Sequence, residues 1–94
     1  MLPPTKMGSG DKALFSVYDG HGHVGEKCAR FAAAQLPPAI IEVNDKLTTD
    51  ANVKSSLSKA FVDVNKKMHI AGDIDDTLSG TTAVVALVVN NVVW

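Results

Sequence analysis

Cysteine occurs once in the 94 residues, at Cys28, so no intrachain disulfide can form. It falls on the apolar stripe of a predicted helix, which reads as a buried structural thiol rather than a reactive one. Arginine also occurs once, at Arg30, and the formal net charge is −1. That balance supplies no basic field for nucleic acid or for an anionic membrane surface. No segment approaches the roughly 18 apolar residues of a membrane-spanning helix. Residues 1–10 contain two prolines and no apolar run, unlike a secretory signal. These absences lead us to expect an intracellular, cytoplasmic protein with neither a nucleic-acid nor a membrane partner. They leave the oligomeric state open.

What is present is ordinary globular composition, 46% hydrophobic and 20% charged, enough for one small domain. Residues 1–12 read as a flexible N-terminal lead and 13–94 as the folded unit. The run Ala13–Tyr18 is apolar and aromatic, a predicted buried strand that ends at the polar, glycine-spaced segment Asp19–His23. A helix is predicted over Val24–Leu36, with Val24, Cys28, Phe31, Ala32 and Gln35 or Leu36 on one stripe. Pro37-Pro38 is expected to interrupt it, with a further turn over Ala39–Val43, and Asn44–Asn52 reads as loop.

Val53, Leu57, Ala60, Phe61, Val64 and Met68 recur at helical spacing. Thr49 or Asp50 can cap that helix, Lys66, Lys67 and His69 suit its C-terminal end, and Gly72 is a candidate stop. After a loop over Asp73–Gly80, the β-branched run Thr81–Val89 predicts a strand, Asn90-Asn91 a tight turn, and Val92–Trp94 a return strand. The order strand, helix, helix, strand, strand gives an α+β or α/β class. The stretch Ala83–Val89 would present a flat, uncharged strand edge.

The chemistry concentrates where the first strand ends. Asp19 is a carboxylate carried to the end of a rigid strand, an oxygen donor suited to Mg²⁺ or Mn²⁺. Gly20 has no side chain, so its carbonyl can approach a cation closely. His21 is of a residue type that can give a proton to a leaving alkoxide. This is the donor set of a metal-hydrolase loop, without a choice of reaction. Gly20, Gly22 and Gly25 also spell the Gly-x-Gly-x-x-Gly of a dinucleotide fingerprint after a strand. Against that reading, Asp19 puts a negative charge where pyrophosphate would sit, and Pro37-Pro38 leaves little room for a second strand before Glu42. His23 and His69 read as solvated surface histidines. Asp73, Asp75 and Asp76 miss the calcium-loop pattern, because Leu78 and Val84 stand at its glycine and glutamate places.

The run Phe15–Gly22 resembles the Asp-Gly-His-Gly signature of the metal-dependent type-2C serine/threonine protein phosphatases. Ser79-Gly80-Thr81-Thr82-Ala83-Val84 resembles a second segment of the same family, and the helices between, including Ser56–Phe61, fit its layout. The resemblance covers Leu14 to Trp94. It implies the N-terminal part of an α+β catalytic domain in which an antiparallel β-sandwich is flanked by helices. It implies Asp19 and Gly20 as metal ligands in a two-metal Mn²⁺ or Mg²⁺ site and His21 as the catalytic general acid. It implies hydrolysis of phosphoserine and phosphothreonine esters in phosphoprotein substrates by a metal-activated water. The Ser-Gly-Thr-Thr segment mainly builds the core near the site.

Three departures from the family pattern stand out. The residues before Leu14 carry no arginine to hold phosphate, and Asp11 is their one acid. The chain does not contain the family's downstream metal-binding aspartates, and His23 replaces a common glycine. From these, the 94-residue chain alone is expected to have little or no activity, as a truncated domain. The alternative is a catalytically inactive, phosphatase-like module that binds or regulates.

Overall fold

The computed structural model describes residues 5–6, 12–43 and 47–94, with only the backbone of Thr5 and Lys6. The elements are β1 (Thr5–Lys6), β2 (Lys12–His21), α1 (Gly25–Ile41), α2 (Asp50–Ile70), β3 (Gly80–Val89) and β4 (Val92–Val93). The strands form one antiparallel sheet in the order β1-β2-β3-β4. The α+β expectation therefore holds as a mixed helix-and-sheet fold with one antiparallel sheet. β1 lies within the stretch read as a flexible lead and pairs Thr5 with Leu14 and Lys6 with Ala13; the rest of that lead, residues 1–4 and 7–11, is outside the described residues.

The centre of the sheet is a ten-residue ladder running from Lys12 opposite Val89 to His21 opposite Gly80. Strand alternation sends Leu14, Ser16 and Tyr18 to one face together with Leu87, Val85 and Ala83. The helices cover that face, and Leu14 and Leu87 are fully buried there. The predicted strand ends at Tyr18, but the real one continues through Asp19, Gly20 and His21, because β3 offers backbone partners as far as Gly80. Polarity alone does not end a strand when its ladder is complete.

Helix α1 packs on β2, β3 and α2. It buries Cys28, Ala32, Leu36 and Ile40 at steps of four, and Gln35 is exposed. Pro37 and Pro38 do not break it, contrary to the sequence expectation. Each proline removes a donor and crowds the preceding turn. Leu36 and Ile40 on either side are held in the core at 2% and 0% exposure, and the Pro38 carbonyl still accepts from the Glu42 N–H at 2.9 Å. Tertiary packing overrides the local signal.

Helix α2 buries Val53, Ala60, Val64 and Met68, with Leu57 and Phe61 half-buried against the same core. The side chain of Thr49 caps it, accepting from the Asn52 N–H at 3.2 Å. The helix therefore begins at Asp50, inside the stretch read as loop, and residues 44–46 of that stretch are outside the described residues. Leu47, also in it, is completely buried. The helix stops at Ile70 with Ala71 as its extended cap, and Gly72 follows directly at the place of a stop glycine, though without the positive φ of one.

The hairpin turn follows the sequence reading, with Asn90 and Asn91 at φ of 49° and 70°. Trp94 exchanges two backbone hydrogen bonds with Leu87, both 2.9 Å, and its indole N–H donates to the Asp50 carboxylate at 2.8 Å. Burying each large apolar side chain contributes about 1.5–3 kcal/mol. The exposed helix pairs Glu26–Arg30, Asp50–Lys54 and Lys59–Asp63 are screened by solvent and add little beside this. The apolar core therefore holds the fold.

Candidate functional site

The site lies at the exposed end of the β2–β3 ladder. Asp19, Gly20, His21, Gly22 and His23 are all exposed. Strand alternation puts Asp19 and His21 on the face turned away from the helices and Gly20 on the face toward α1. A Cβ on Gly20 would stand 2.1 Å from the Gly25 carbonyl oxygen, so this approach of strand and helix requires glycine. The turn after the strand is made by Gly22 at φ +85°, whose carbonyl accepts from the Gly25 N–H at 3.2 Å.

Two distant motifs meet here. Asp19 pairs with Thr82, Gly20 with Thr81 and His21 with Gly80. The Thr82 hydroxyl accepts from the Asp19 N–H at 3.1 Å and lies 3.4 Å from the Asp19 carbonyl, to which it donates. The Ser79 hydroxyl accepts from the Val24 N–H at 3.1 Å. The backbone that carries the carboxylate is thus braced from both sides of a turn.

The fit to a hard divalent cation is partial. An exposed carboxylate beside a glycine on a braced strand end is a suitable pair of oxygen donors, and those residues are Asp19 and Gly20. Among the described residues no three His, Cys, Asp or Glu side chains come together to hold a metal. Two acids of the loop before β3, Asp75 and Asp76, are engaged locally. Asp75 accepts from the Thr77 hydroxyl at 2.6 Å and the Thr77 N–H at 3.1 Å, bonds that hold its carboxyl below the usual carboxylate range. Asp76 meets the Nδ1 of the exposed His69 at 3.2 Å. Cys28 is fully buried, as its position on the stripe suggests.

The dinucleotide fingerprint is overturned by topology. Gly20, Gly22 and Gly25 do link a strand to a helix, but among the described residues every strand pairing is antiparallel, and the fingerprint belongs to a parallel βαβ unit. Sequence reasoning named the Ser79–Val84 segment without giving its side chains a role. The hydroxyls of Ser79 and Thr82 act on the site through a register that only the paired strands reveal. An open groove of about 870 Å³ between the end of α1 and α2, bordered by Glu42, Ser55, Lys59 and Lys66, includes none of these residues.

The chain belongs to the protein phosphatase 2C family, whose sequence profile matches residues 3–93. It is 34% identical over 76 residues to a probable protein phosphatase 2C of Caenorhabditis elegans, covering 81% of this chain and 20% of that protein. It is 35% identical over 81 residues to probable protein phosphatase 2C 35 of Arabidopsis thaliana, covering 86% and 22%. It is 36% identical over 77 residues to the human probable protein phosphatase 1N, covering 81% and 17%. The chain thus spans about a fifth of the length of the curated relatives it matches. Among the described residues no helix is long and apolar enough to cross a membrane.

Proposed function

We propose that this chain is a segment of a metal-dependent protein serine/threonine phosphatase, acting on phosphoserine and phosphothreonine esters of proteins in the cytoplasm. The observation that carries the reading is the pairing of Asp19-Gly20-His21 with Gly80-Thr81-Thr82 at one exposed ladder end. In this reading Asp19 and the Gly20 carbonyl hold Mn²⁺ or Mg²⁺. A bound metal pair would supply Lewis acidity and lower the pKa of its bound water toward about 7. His21, two residues along the same strand face, delivers a proton to the leaving serine or threonine oxygen. Thr82 fixes the backbone from which the Asp19 carboxylate projects.

The second reading is a catalytically inactive, phosphatase-like module that binds or regulates. What favours it is the ligand count among the described residues: one carboxylate and one carbonyl hold a divalent cation weakly. On this account the 94-residue chain is a truncated domain with little turnover. The sheet face bearing Val17 and Val84 would be covered by a second sheet of a sandwich in a complete domain.

The test is Mn²⁺ binding, read by the free-Mn²⁺ spin-resonance signal, beside phosphothreonine-peptide hydrolysis with and without chelator. Asp19→Ala should abolish whatever Mn²⁺ binding the chain shows. Chelator-sensitive turnover lost in both Asp19→Ala and His21→Ala would establish the enzyme. Asp19-dependent binding without turnover would favour the regulatory module. A folded chain showing neither would sink the metal-site reading of Asp19 and leave the non-catalytic module.

A further inference from the structure

His21 is the last residue of β2, and the loop after it is not held by α1's own side chains. Val24, the N-cap of α1, makes no side-chain capping bond. The Ser79 hydroxyl instead takes the backbone N–H of Val24 itself, at 3.1 Å and from 55 residues away. A helix cap satisfies the free N–H groups two or three residues into the helix. Ser79 does not do that; it fixes the position of the loop residue that leads into the helix. The same serine lies close under Gly22, where an added Cβ would stand 2.5 Å from the Ser79 hydroxyl and 2.5 Å from the Leu78 carbonyl. The loop 21–24 therefore rests directly on residues 78–80.

Gly80 completes this floor by what it lacks. A Cβ there would stand 3.1 Å from Nε2 and 3.2 Å from Cε1 of His21. The imidazole thus lies across the bare Cα of its ladder partner, and any side chain at 80 would press on the ring. Because the ring is the free end of a side chain, it can rotate away while the ladder stays paired. A substitution at 80 therefore moves the imidazole without requiring the sheet to open.

We propose that Ser79 and Gly80 are positioning residues for His21: Ser79 clasps the loop through the Val24 amide, and Gly80 provides the flat seat on which the imidazole rests. The functional half of this statement rests on His21 acting as the proton donor proposed above; the geometric half does not. Such placement matters because a misplacement of about 1 Å can cost on the order of a hundredfold in rate.

The experiment uses the 94-residue chain and its Ser79→Ala, Ser79→Thr and Gly80→Ala variants, followed by NMR at constant pH. In Ser79→Ala the Val24 amide should exchange roughly five- to tenfold faster, the loss of one hydrogen bond, with Val64 in α2 unchanged. Ser79→Thr should restore the slow exchange. Gly80→Ala should shift the His21 ring resonances while leaving the melting temperature within a few degrees. Where the wild-type chain turns over phosphopeptide, Ser79→Ala and Gly80→Ala should lower kcat with KM unchanged, and Ser79→Thr should recover it. Unchanged Val24 exchange and unchanged His21 resonances would overturn the proposal. So would a uniform loss of protection in both variants, because the two residues would then serve the whole fold. The exchange and ring measurements decide the clasp whether or not the wild-type chain turns over substrate, so failure of the clasp and failure of the phosphatase reading are told apart.

Discussion

The two faces of the β2–β3 ladder are built from similar residues and meet different surroundings. Toward the helices, Leu14 and Leu87 are 1% and 0% exposed; on the other face, Val17 and Val84 are 41% and 65% exposed. Asp19, His21 and Thr82 lie on the second face, in line with those valines. The covered face carries the stability and the uncovered one carries the candidate chemistry. The outer edge of β3 repeats the contrast, because among the described residues β4 and Trp94 pair only with Leu87–Val89. From Gly80 to Ala86 the strand presents an open, uncharged edge.

The largest effect should come from breaking the covered face. Leu87→Ala deletes a fully buried side chain from the main core and should cost about 2–5 kcal/mol. Val84→Ala, three residues earlier on the far face, should stay within about 0.5 kcal/mol. Urea unfolding of the two variants checks the pair. Similar losses would mean that the far face is covered in solution and that the contrast between the faces does not hold for the dissolved protein.

A second comparison sets two glycines against each other. Gly20→Ala places a methyl 2.1 Å from backbone at Gly25, where no flexible side chain can yield, so strand and helix must separate. Overpacking of this kind costs about 1–3 kcal/mol. Gly72 has nothing within 4 Å of an added Cβ, and its φ is not positive. Gly72→Ala should therefore be neutral or add about 0.4–1 kcal/mol by restricting the unfolded chain. Thermal melts rank the two, and a tolerated Gly20→Ala would refute the close packing of β2 on α1.

Much of this organisation is readable from residue patterns. The α2 stripe of Val53, Ala60, Val64 and Met68, the Asn90-Asn91 turn and the β-branched β3 run all agree between local preference and structure. The misreadings occur where tertiary contacts overrule local rules. Pro37-Pro38 stays helical because Leu36 and Ile40 are anchored on both sides. Asp19–His21 stays extended because Gly80–Thr82 supplies its partners. Leu47 is buried although its neighbours are polar. For the site, Asp19, Gly20 and His21 stand out by residue type alone. The bracing by Thr82 and Ser79 does not, since a hydroxyl 63 or 55 residues away carries no local signal.

The smallest effect concerns a side-chain hydrogen bond between the hairpin and α2. Asp50 has its carboxyl held below the usual range, first by the Trp94 indole N–H and then by Lys54. A carboxylate whose folded pKa is depressed favours the fold while ionised, and its contribution is present above the ordinary carboxylate pKa near ~4. It fades as pH falls through the lower folded value. Asp50→Asn should therefore lower the melting temperature slightly at pH 7, and the gap to the parent chain should narrow by pH 3. Asp63 and Asp75 are depressed in the same sense, by Lys59 and Thr77 respectively, so the parent chain's own acid loss is a sum. Only the difference between the two curves isolates Asp50. A gap that persists unchanged at pH 3 would mean that the link to Trp94 does not depend on the charge. The indole N–H would then be serving as a neutral hydrogen-bond donor, and the Lys54 pair, more than half exposed on both sides, would contribute nothing measurable.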